Sequence, residues 1–253
     1  MIHWSRIATD PTDAAVLERR RRQVGAAAAG VWVPDRIEFL CSLAAGKRVL
    51  DVGVVDHTLR DPEDPQWLHG RLRRVAARLV GVDVLPAQVA RLRELGFDVR
   101  CQDLSREPLE ERFDLVVLGE VLEHVESPLA LLRCASTMLE AHGIVVVTAP
   151  NPWYLGTVVR SSVGSGIYVD NADHCAWFDP VTICELADRA GLELYWYAGV
   201  RVRSARRRMA RIVLNSAMLW VALGIRPELF AKTMIYKLRK PSFSGSLVDA
   251  PTG

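Results

Sequence analysis

The sequence has little net charge and few lysines. Its 32 Lys and Arg residues nearly balance 30 Asp and Glu residues, which leaves a formal charge of +2. Lysine occurs at only four positions, a bias that we attribute first to codon usage. This balance gives no indication of a basic surface for nucleic acid, and no nucleic acid is expected among the partners.

Closely spaced cysteines are also missing. The five cysteines lie singly along the chain, without the paired spacing that zinc ligation or a redox dithiol uses. The sequence therefore predicts no metal site, and its thiols are expected to stay free in a reducing cytoplasm. These residues are Cys41, Cys101, Cys134, Cys175 and Cys184.

Long hydrophobic runs are absent as well. Residues 1–22 contain no apolar core with a cleavage site, so we expect no signal peptide and a cytoplasmic protein. The longest apolar run, residues 212–225, is about five residues shorter than the roughly 20 that a spanning helix needs. Together with the basic stretch before it, the segment 201–225 is suited to lie peripherally on an anionic membrane surface. It is equally suited to pack on the sheet or in a homodimer interface.

What the sequence does contain is an alternation of strands and helices. Residues 13–46 are mostly helical in pattern, interrupted by Gly30 and Pro34. From Lys47 onward, β-branched runs alternate with helical spacing, which favours a mostly parallel sheet covered on both faces. Strands are predicted at 48–53, 78–84, 97–103, 113–119, 143–149, 192–199 and 233–241, and helices at 65–79, 86–96, 127–139 and 179–191.

The same pattern predicts the domain organisation. Residues 1–46 form an N-terminal helical segment, and residues 47–241 form the main α/β domain. Within that domain, residues 200–232 are predicted to be a helical insertion before the last strand. The small, polar tail 242–253 is expected to be disordered.

Acidic and turn residues follow five of the predicted strands. Ligands of an open doubly wound sheet bind beyond these carboxyl ends. Gly53 permits a tight turn. Asp83 is placed to accept hydrogen bonds from the two hydroxyls of a ribose, and Asp103 could accept a hydrogen bond from the exocyclic amine of adenine. The alternative is that these two aspartates only cap a turn or lie exposed in a loop. The predicted binding residues are Asp51, Gly53, Asp83, Val84, Asp103, Leu104, Gly119 and Glu120.

Five segments resemble, in order, the motifs of class I S-adenosylmethionine-dependent methyltransferases: VLDVG, VGVDV, CQDL, FDLVVLGEVLEHVESP and GIVVVTAPNP. The closest branch is the small-molecule one that includes ubiquinone-biosynthesis O-methyltransferases, and the resemblance covers about residues 47–199. It implies a seven-stranded Rossmann-like sheet with an antiparallel last strand. It also implies that the cofactor is S-adenosylmethionine and that no metal is needed. The methionine portion would bind at Gly53 and Gly119-Glu120, and the nucleoside would bind at Asp83 and Asp103-Leu104.

The glycine loop argues against a dinucleotide site. That site requires three spaced glycines and an acid about 20 residues further on. Here only Gly53 is present, and Asp51 and Asp83 are 83 − 51 = 32 residues apart. Residues 56–66 are acidic and rich in proline, and we interpret them as an insertion that accounts for the extra length.

Several residues are candidates for chemistry on the acceptor. His174 is the candidate general base, with Asp173 orienting it, although His174 is also suited to pack against Trp177 and Phe178. His57 is a second candidate for acceptor contact, with a structural loop histidine as the alternative. Glu123 and His124 are expected to shape the pocket floor, whereas His69 and His142 are expected on helix surfaces.

Residues 150–178 are predicted to form a lid and acceptor segment. Trp153, Tyr154 and Tyr168 are suited to stack on a sugar or aromatic ring, and the length of the loop favours a functional role. A long surface loop with buried anchors is the alternative interpretation.

These observations predict a methyltransferase that acts on a small-molecule, sugar or lipid-linked acceptor, at oxygen by preference. A bacterial cell-surface sugar or a secondary metabolite is the expected acceptor class. Two alternatives remain: a methyltransferase-like binding protein without catalysis, and a nicotinamide-dependent oxidoreductase.

Overall fold

The computed structural model describes residue 5 and residues 8–55, 60–163, 169, 171–201 and 226–241. They form one eight-stranded sheet with helices on both faces. The helices are α1 (Ala14–Ala27), α2 (Arg36–Ala44), α3 (Leu68–Arg73), α4 (Pro86–Glu94), α5 (Pro128–Thr137), α6 (Leu155–Ser162) and α7 (Pro180–Arg189). The strands are β1 (Ala28–Val33), β2 (Arg48–Val52), β3 (Arg78–Asp83), β4 (Val99–Cys101), β5 (Phe113–Gly119), β6 (Leu139–Pro150), β7 (Glu193–Arg201) and β8 (Ala231–Arg239).

The strand order is β1-β7-β8-β6-β5-β2-β3-β4. Strand β8 runs antiparallel to β6 and β7, and the other neighbouring strands are parallel. The chain builds outward from β2 through β3 to β4 and then returns to β5 on the opposite side of β2. This reversal opens a crevice between β2 and β5, where ligands of doubly wound sheets bind. The predicted Rossmann-like fold with an antiparallel last strand is confirmed.

The sheet has one strand more than predicted. Residues 28–33 form the edge strand β1 beside β7, in a region whose pattern indicated helix. The backbone of Gly30 takes a φ of +66°, and pairing with β7 supplies the hydrogen bonds that a longer α1 would otherwise have made. Tertiary pairing therefore overrides the local helical pattern here.

Other boundaries shift by a few residues. The predicted helix 65–79 is shortened to α3, and the last strand begins at Ala231 rather than at residue 233. Strand β6 begins before Gly143, at Leu139. Gly96 and Gly191 follow α4 and α7 with φ of +79° and +74°. Most of the predicted helical insertion, the basic and apolar segment within it, and the tail 242–253 lie outside the described residues.

Helix α1 is attached to the sheet domain by a part-buried ion cluster. The guanidinium of Arg20 donates to Asp188 at 3.0 Å and to the Cys184 sulfur at 2.8 Å, and it pairs with Glu185. Gln23 donates to the second carboxylate oxygen of Asp188 at 3.1 Å. The side chain of Asp188 is only 6% exposed, so its charge depends on these partners from α1.

Replacing Arg20 with methionine should lower the free energy of unfolding by about 1–3 kcal/mol, because it leaves Asp188 buried without its cation. Urea denaturation of the variant measures this loss. Arg22→Met is the matched control on the same helix, since Arg22 is 78% exposed and its pair with Glu18 should contribute little. Equal midpoints for the two variants would contradict the role given to Arg20.

Candidate active site

A cleft of about 820 Å³ lies along the carboxyl ends of β2, β3, β5 and β6. This volume is in the range of small-molecule and cofactor sites. Eleven residues selected from the sequence line it: Gly53, Asp83, Val84, Asp103, Leu104, Gly119, Glu120, Glu123, His124, Asp173 and His174.

The turn after β2 needs the glycine that occupies it. Gly53 has a φ of +74°, and a Cβ atom there would lie 2.5 Å from Cγ2 of Val121. Its N–H donates to the Val82 carbonyl at 2.8 Å, which ties the turn to β3. No other residue fits this backbone conformation and close approach together.

The carboxylate of Asp83 is fixed by backbone donors. Oδ2 accepts from the N–H of Val55 at 2.9 Å, and Oδ1 accepts from the N–H of Leu85 at 3.1 Å. An ionised carboxylate has about four acceptor positions, so capacity remains for a ligand's hydroxyls. Val84 and Leu85 beside it are 60% and 38% exposed and offer apolar surface to a ring.

Asp103 lies at the next strand end as an ionised acceptor. Oδ1 accepts from the hydroxyl of Ser105 at 2.6 Å and from its N–H at 2.9 Å, and Oδ2 pairs with Arg106 at 3.0 Å. The Ser105 hydroxyl is the main cause that lowers the pKa of Asp103. The charged carboxylate can therefore accept a hydrogen bond from an amine at neutral pH.

A polar cluster at the end of β5 includes residues that the sequence did not indicate. Glu120 has a strained φ of +59°, and its Oε1 accepts from the Thr233 hydroxyl at 3.1 Å. Its Oε2 lies 3.9 Å from Nη1 of Arg36, which donates to Thr148 at 3.2 Å. Arg36, Lys232 and Thr233 line the cleft but come from distant parts of the chain, so no local motif identified them.

Two histidines and two carboxyl groups also lie in the cleft. Nδ1 of His124 lies 2.9 Å from Oδ2 of Asp173, and the His124 ring packs edge-on against the His174 ring with centroids 4.8 Å apart. Trp177 packs against the other side of His174 at 5.7 Å. Asp173 therefore orients His124 rather than His174, which corrects the pairing expected from the sequence.

Glu123 forms the floor beneath these rings. Its side chain is 1% exposed, and neither carboxyl oxygen has a hydrogen-bond partner among the described residues. Burial raises the pKa of Glu123 to about 7. Its carboxyl group thus changes charge near neutral pH, which makes it sensitive to a positive charge forming above it.

Glu123, His124 and His174 each place a donor atom within 4.8 Å of the others, a spacing that a metal ion could share. The expectation that the protein binds no metal stays a prediction, since this spacing does not test it. Sequence spacing could not reveal the group, because His174 lies 50 residues from His124 along the chain.

The chain was compared with known proteins. The family model described as "Methyltransferase domain" matches residues 19–195, well over half of the sequence. The chain belongs to the methyltransferase domain family. The ubiquinone biosynthesis O-methyltransferase of Aeromonas salmonicida is 24% identical over 209 residues, which cover 78% of this chain and 82% of that protein.

Solved structures agree with this methyltransferase fold. The CcbJ methyltransferase from Streptomyces caelestis aligns with a TM-score of 0.55 at 16% identity, over 81% of this chain and 88% of that one. Magnesium protoporphyrin IX methyltransferase from Synechocystis PCC 6803, with bound S-adenosylhomocysteine, aligns with a TM-score of 0.54 at 14% identity, over 94% and 100%. The protein is an S-adenosylmethionine-dependent methyltransferase.

Asp51 does not line the cleft of this methyltransferase. It is 2% exposed, and its Oδ2 lies 3.0 Å from Nδ1 of His69, which is equally buried. The direct cofactor contact expected for Asp51 and the surface position expected for His69 are therefore corrected together. Only six residues of α3 are helical, too few for periodicity to reveal which side faces inward.

The lid aromatics also depart from expectation. Trp153 and Tyr154 are not among the residues that line the cleft, and the indole N–H of Trp153 donates to Asp179 at 3.1 Å. His57 and Tyr168 lie outside the described residues. His142 is exposed as expected, although it belongs to β6. In the described part of the chain, we find no helix with the length and apolar content to cross a membrane.

Proposed function

We propose that this methyltransferase transfers the methyl group to a hydroxyl oxygen of a small-molecule acceptor. The observation that carries the proposal is the cluster of His124, His174, Asp173 and Glu123 in the same cleft as Asp83 and Asp103. The first group is suited to accept a proton, and the second to bind a nucleoside. A single cleft therefore has places for both reactants.

The cofactor is assigned to the half of the cleft formed by β2, β3 and β4. The free acceptor capacity of Asp83 suits the ribose hydroxyls, and ionised Asp103 suits the adenine amine. The exposed side chains of Val84 and Leu85 suit the faces of the adenine ring. The close approach at Gly53 leaves space for the methionine portion, and Arg36 near Glu120 is positioned for its carboxylate.

Replacing Asp83 with alanine should weaken S-adenosylhomocysteine binding by about 1.5–3 kcal/mol, because a charged hydrogen-bond acceptor is lost. Isothermal titration calorimetry measures this change. Asp98→Ala is the control. Asp98 is an acidic residue directly before β4, and its side chain is half exposed and lies outside the cleft. Unchanged affinity in a folded Asp83→Ala variant would show that the cofactor site is elsewhere.

The acceptor is assigned to the half of the cleft near His174 and Asn171. Bound S-adenosylmethionine supplies an activated methyl group, which the acceptor oxygen takes as the carbon–sulfur bond breaks. Positioning contributes most to such a reaction, and a base adds to it by removing the hydroxyl proton. We assign that proton to the imidazole of His174, above the ionised Glu123. The O-methyltransferase name of the Aeromonas salmonicida relative supports an oxygen acceptor.

A panel of acceptors with radiolabelled S-adenosylmethionine tests the acceptor class. We expect label on compounds with an aromatic or sugar hydroxyl, and none on matched compounds in which that hydroxyl is replaced by hydrogen. Label on amines or thiols alone would overturn the oxygen assignment.

Because Trp153 and Tyr154 lie outside the cleft, we expect their replacement by leucine to leave the acceptor KM within about twofold of the wild-type value.

Removal of divalent metal tests whether the cluster of Glu123, His124 and His174 accepts a proton or binds a metal ion. If the cluster accepts a proton, EDTA treatment should leave kcat unchanged, since transfer from a sulfonium needs no Lewis acid. Activity that is lost with EDTA and restored by added zinc or magnesium would assign a metal to the three donors instead. Atomic emission analysis of the purified protein provides an independent measurement.

A further inference from the structure

Two side chains at the start of α3 reach back to the glycine turn. The indole N–H of Trp67 donates to the carbonyl of Val54 at 2.9 Å, and His69 contacts Asp51 at 3.0 Å. Asp51 comes two residues before Gly53, and Val54 directly after it. Trp67 and His69 therefore contact both ends of the turn, on the side that faces away from the cleft.

These contacts are tightly packed. The Trp67 ring is 3% exposed and lies edge-on to Phe97 with centroids 5.1 Å apart, and it also contacts His69 at 5.5 Å. A Cβ atom at Gly81 would lie 2.7 Å from Cε1 of His69 and 3.0 Å from Cγ1 of Val54. The rings therefore have little freedom to take other orientations.

The bond from Trp67 bears directly on the cofactor site. The carbonyl of Val54 and the N–H of Val55 belong to one planar peptide group, so orienting one end orients the other. Trp67 holds the carbonyl end at 2.9 Å, and the N–H end donates to Oδ2 of Asp83 at 2.9 Å. The ring of Trp67 and the carboxylate of Asp83 are connected through this single peptide.

We propose that Trp67 is a positioning residue for the cofactor. By fixing the Val54–Val55 peptide, it aims the Val55 N–H at Asp83 and holds that carboxylate where the ribose binds. The bond between His69 and Asp51 keeps the other end of the turn in place. Together they supply the rigidity that a turn with only one glycine, and with bulky Val54 and Val55 after it, needs in order to bind ligand. This inference rests on the cofactor placement proposed above.

Trp67→Phe tests the proposal, because phenylalanine retains an aromatic ring and removes the N–H. The Kd for S-adenosylhomocysteine, measured by calorimetry, should rise by about 3–15-fold, and the KM for S-adenosylmethionine should rise with it. The kcat at saturating cofactor and the acceptor KM should stay unchanged. Phe97→Leu is the matched control, since Phe97 packs on the same ring but makes no bond to the turn. It should lower the melting temperature without changing Kd.

A double-mutant cycle identifies the route through Asp83. If Trp67 acts through the Val54–Val55 peptide, Trp67→Phe should have no further effect on Kd in the Asp83→Ala background. Additive effects of the two substitutions would overturn the proposal, and so would an unchanged Kd in Trp67→Phe when Asp83→Ala alone weakens binding. An unchanged Kd in folded Asp83→Ala would overturn the cofactor placement and this inference with it.

Discussion

Replacing His174 with glutamine should lower kcat by about 10²–10⁴-fold, because the acceptor hydroxyl would lose its proton acceptor. The Kd for S-adenosylhomocysteine should stay unchanged, since His174 is not among the residues that we assign to the cofactor. A discontinuous assay with radiolabelled cofactor measures kcat, and calorimetry measures Kd. The structure makes the result interpretable, because the edge-on contacts with His124 and Trp177 hold the ring in one place.

Two further variants sharpen this test. His142→Gln is the control, since His142 is exposed on β6 and outside the cleft, and it should leave kcat unchanged. His124→Gln should cost less than His174→Gln, because His124 is held by Asp173 and supports the neighbouring ring. A kcat for His174→Gln within twofold of the wild-type value would remove His174 from the reaction. A larger loss in His124→Gln would transfer the role to His124.

Glu123→Gln should lower kcat by about 10²–10³-fold, because the ionised carboxylate stabilises the imidazolium that forms above it. Burial raises the pKa of Glu123 to about 7, so its charged fraction increases as the pH rises through that value. The kcat of the wild-type enzyme should therefore rise between about pH 6 and 8. Glu123→Gln should change the midpoint of the profile, whereas exposed Glu126→Gln should not.

The same substitution should stabilise the protein above neutral pH. The carboxyl group of Glu123 has a pKa of about 7 in the folded state and near the ordinary glutamate value of 4.5 in the unfolded state, so the folded state binds more protons between these values. The free energy of unfolding must therefore fall as the pH rises through this window. Glutamine resembles the protonated form, and Glu123→Gln should raise the free energy of unfolding at pH 8 by about 1–3 kcal/mol.

Well below pH 4.5, the wild-type carboxyl group is protonated in both states, so the variant and the wild type should unfold at equal denaturant concentrations. Denaturation at the two pH values measures this difference. Lower stability of Glu123→Gln at pH 8 would mean that the ionised carboxylate has a stabilising partner, and that its burial has been misinterpreted. A gain in stability together with a loss in kcat would indicate that the enzyme sacrifices stability at this residue for activity.

Local sequence patterns predicted the half of the cleft that we propose for the cofactor. Each of Gly53, Asp83 and Asp103 follows its own strand, and the carboxyl ends of parallel strands meet at one edge whatever the details of packing. The alternation of strands and helices was therefore enough to bring them together. The motif order that resembles methyltransferases led to the family that the comparison then confirmed.

The contacts in the half of the cleft that we propose for the acceptor could not be predicted in the same way. Asp173 lies 49 residues from His124 along the chain, so their contact depends on how distant loops meet. The sequence paired Asp173 with its neighbour His174, because adjacency was the only information available. The burial of His69 and of Asp51 depends likewise on the packing of α3 behind the turn.

By itself, the sequence determined the order of elements, the mostly parallel sheet and the edge at which a nucleoside should bind, because these follow from local periodicity and from the chirality of the chain. Only the tertiary structure decided which side chains meet around His174, which residues support the turn at Gly53, and that residues 28–33 become a strand. Those outcomes depend on burial and on contacts between distant residues, and no short stretch of sequence encodes either.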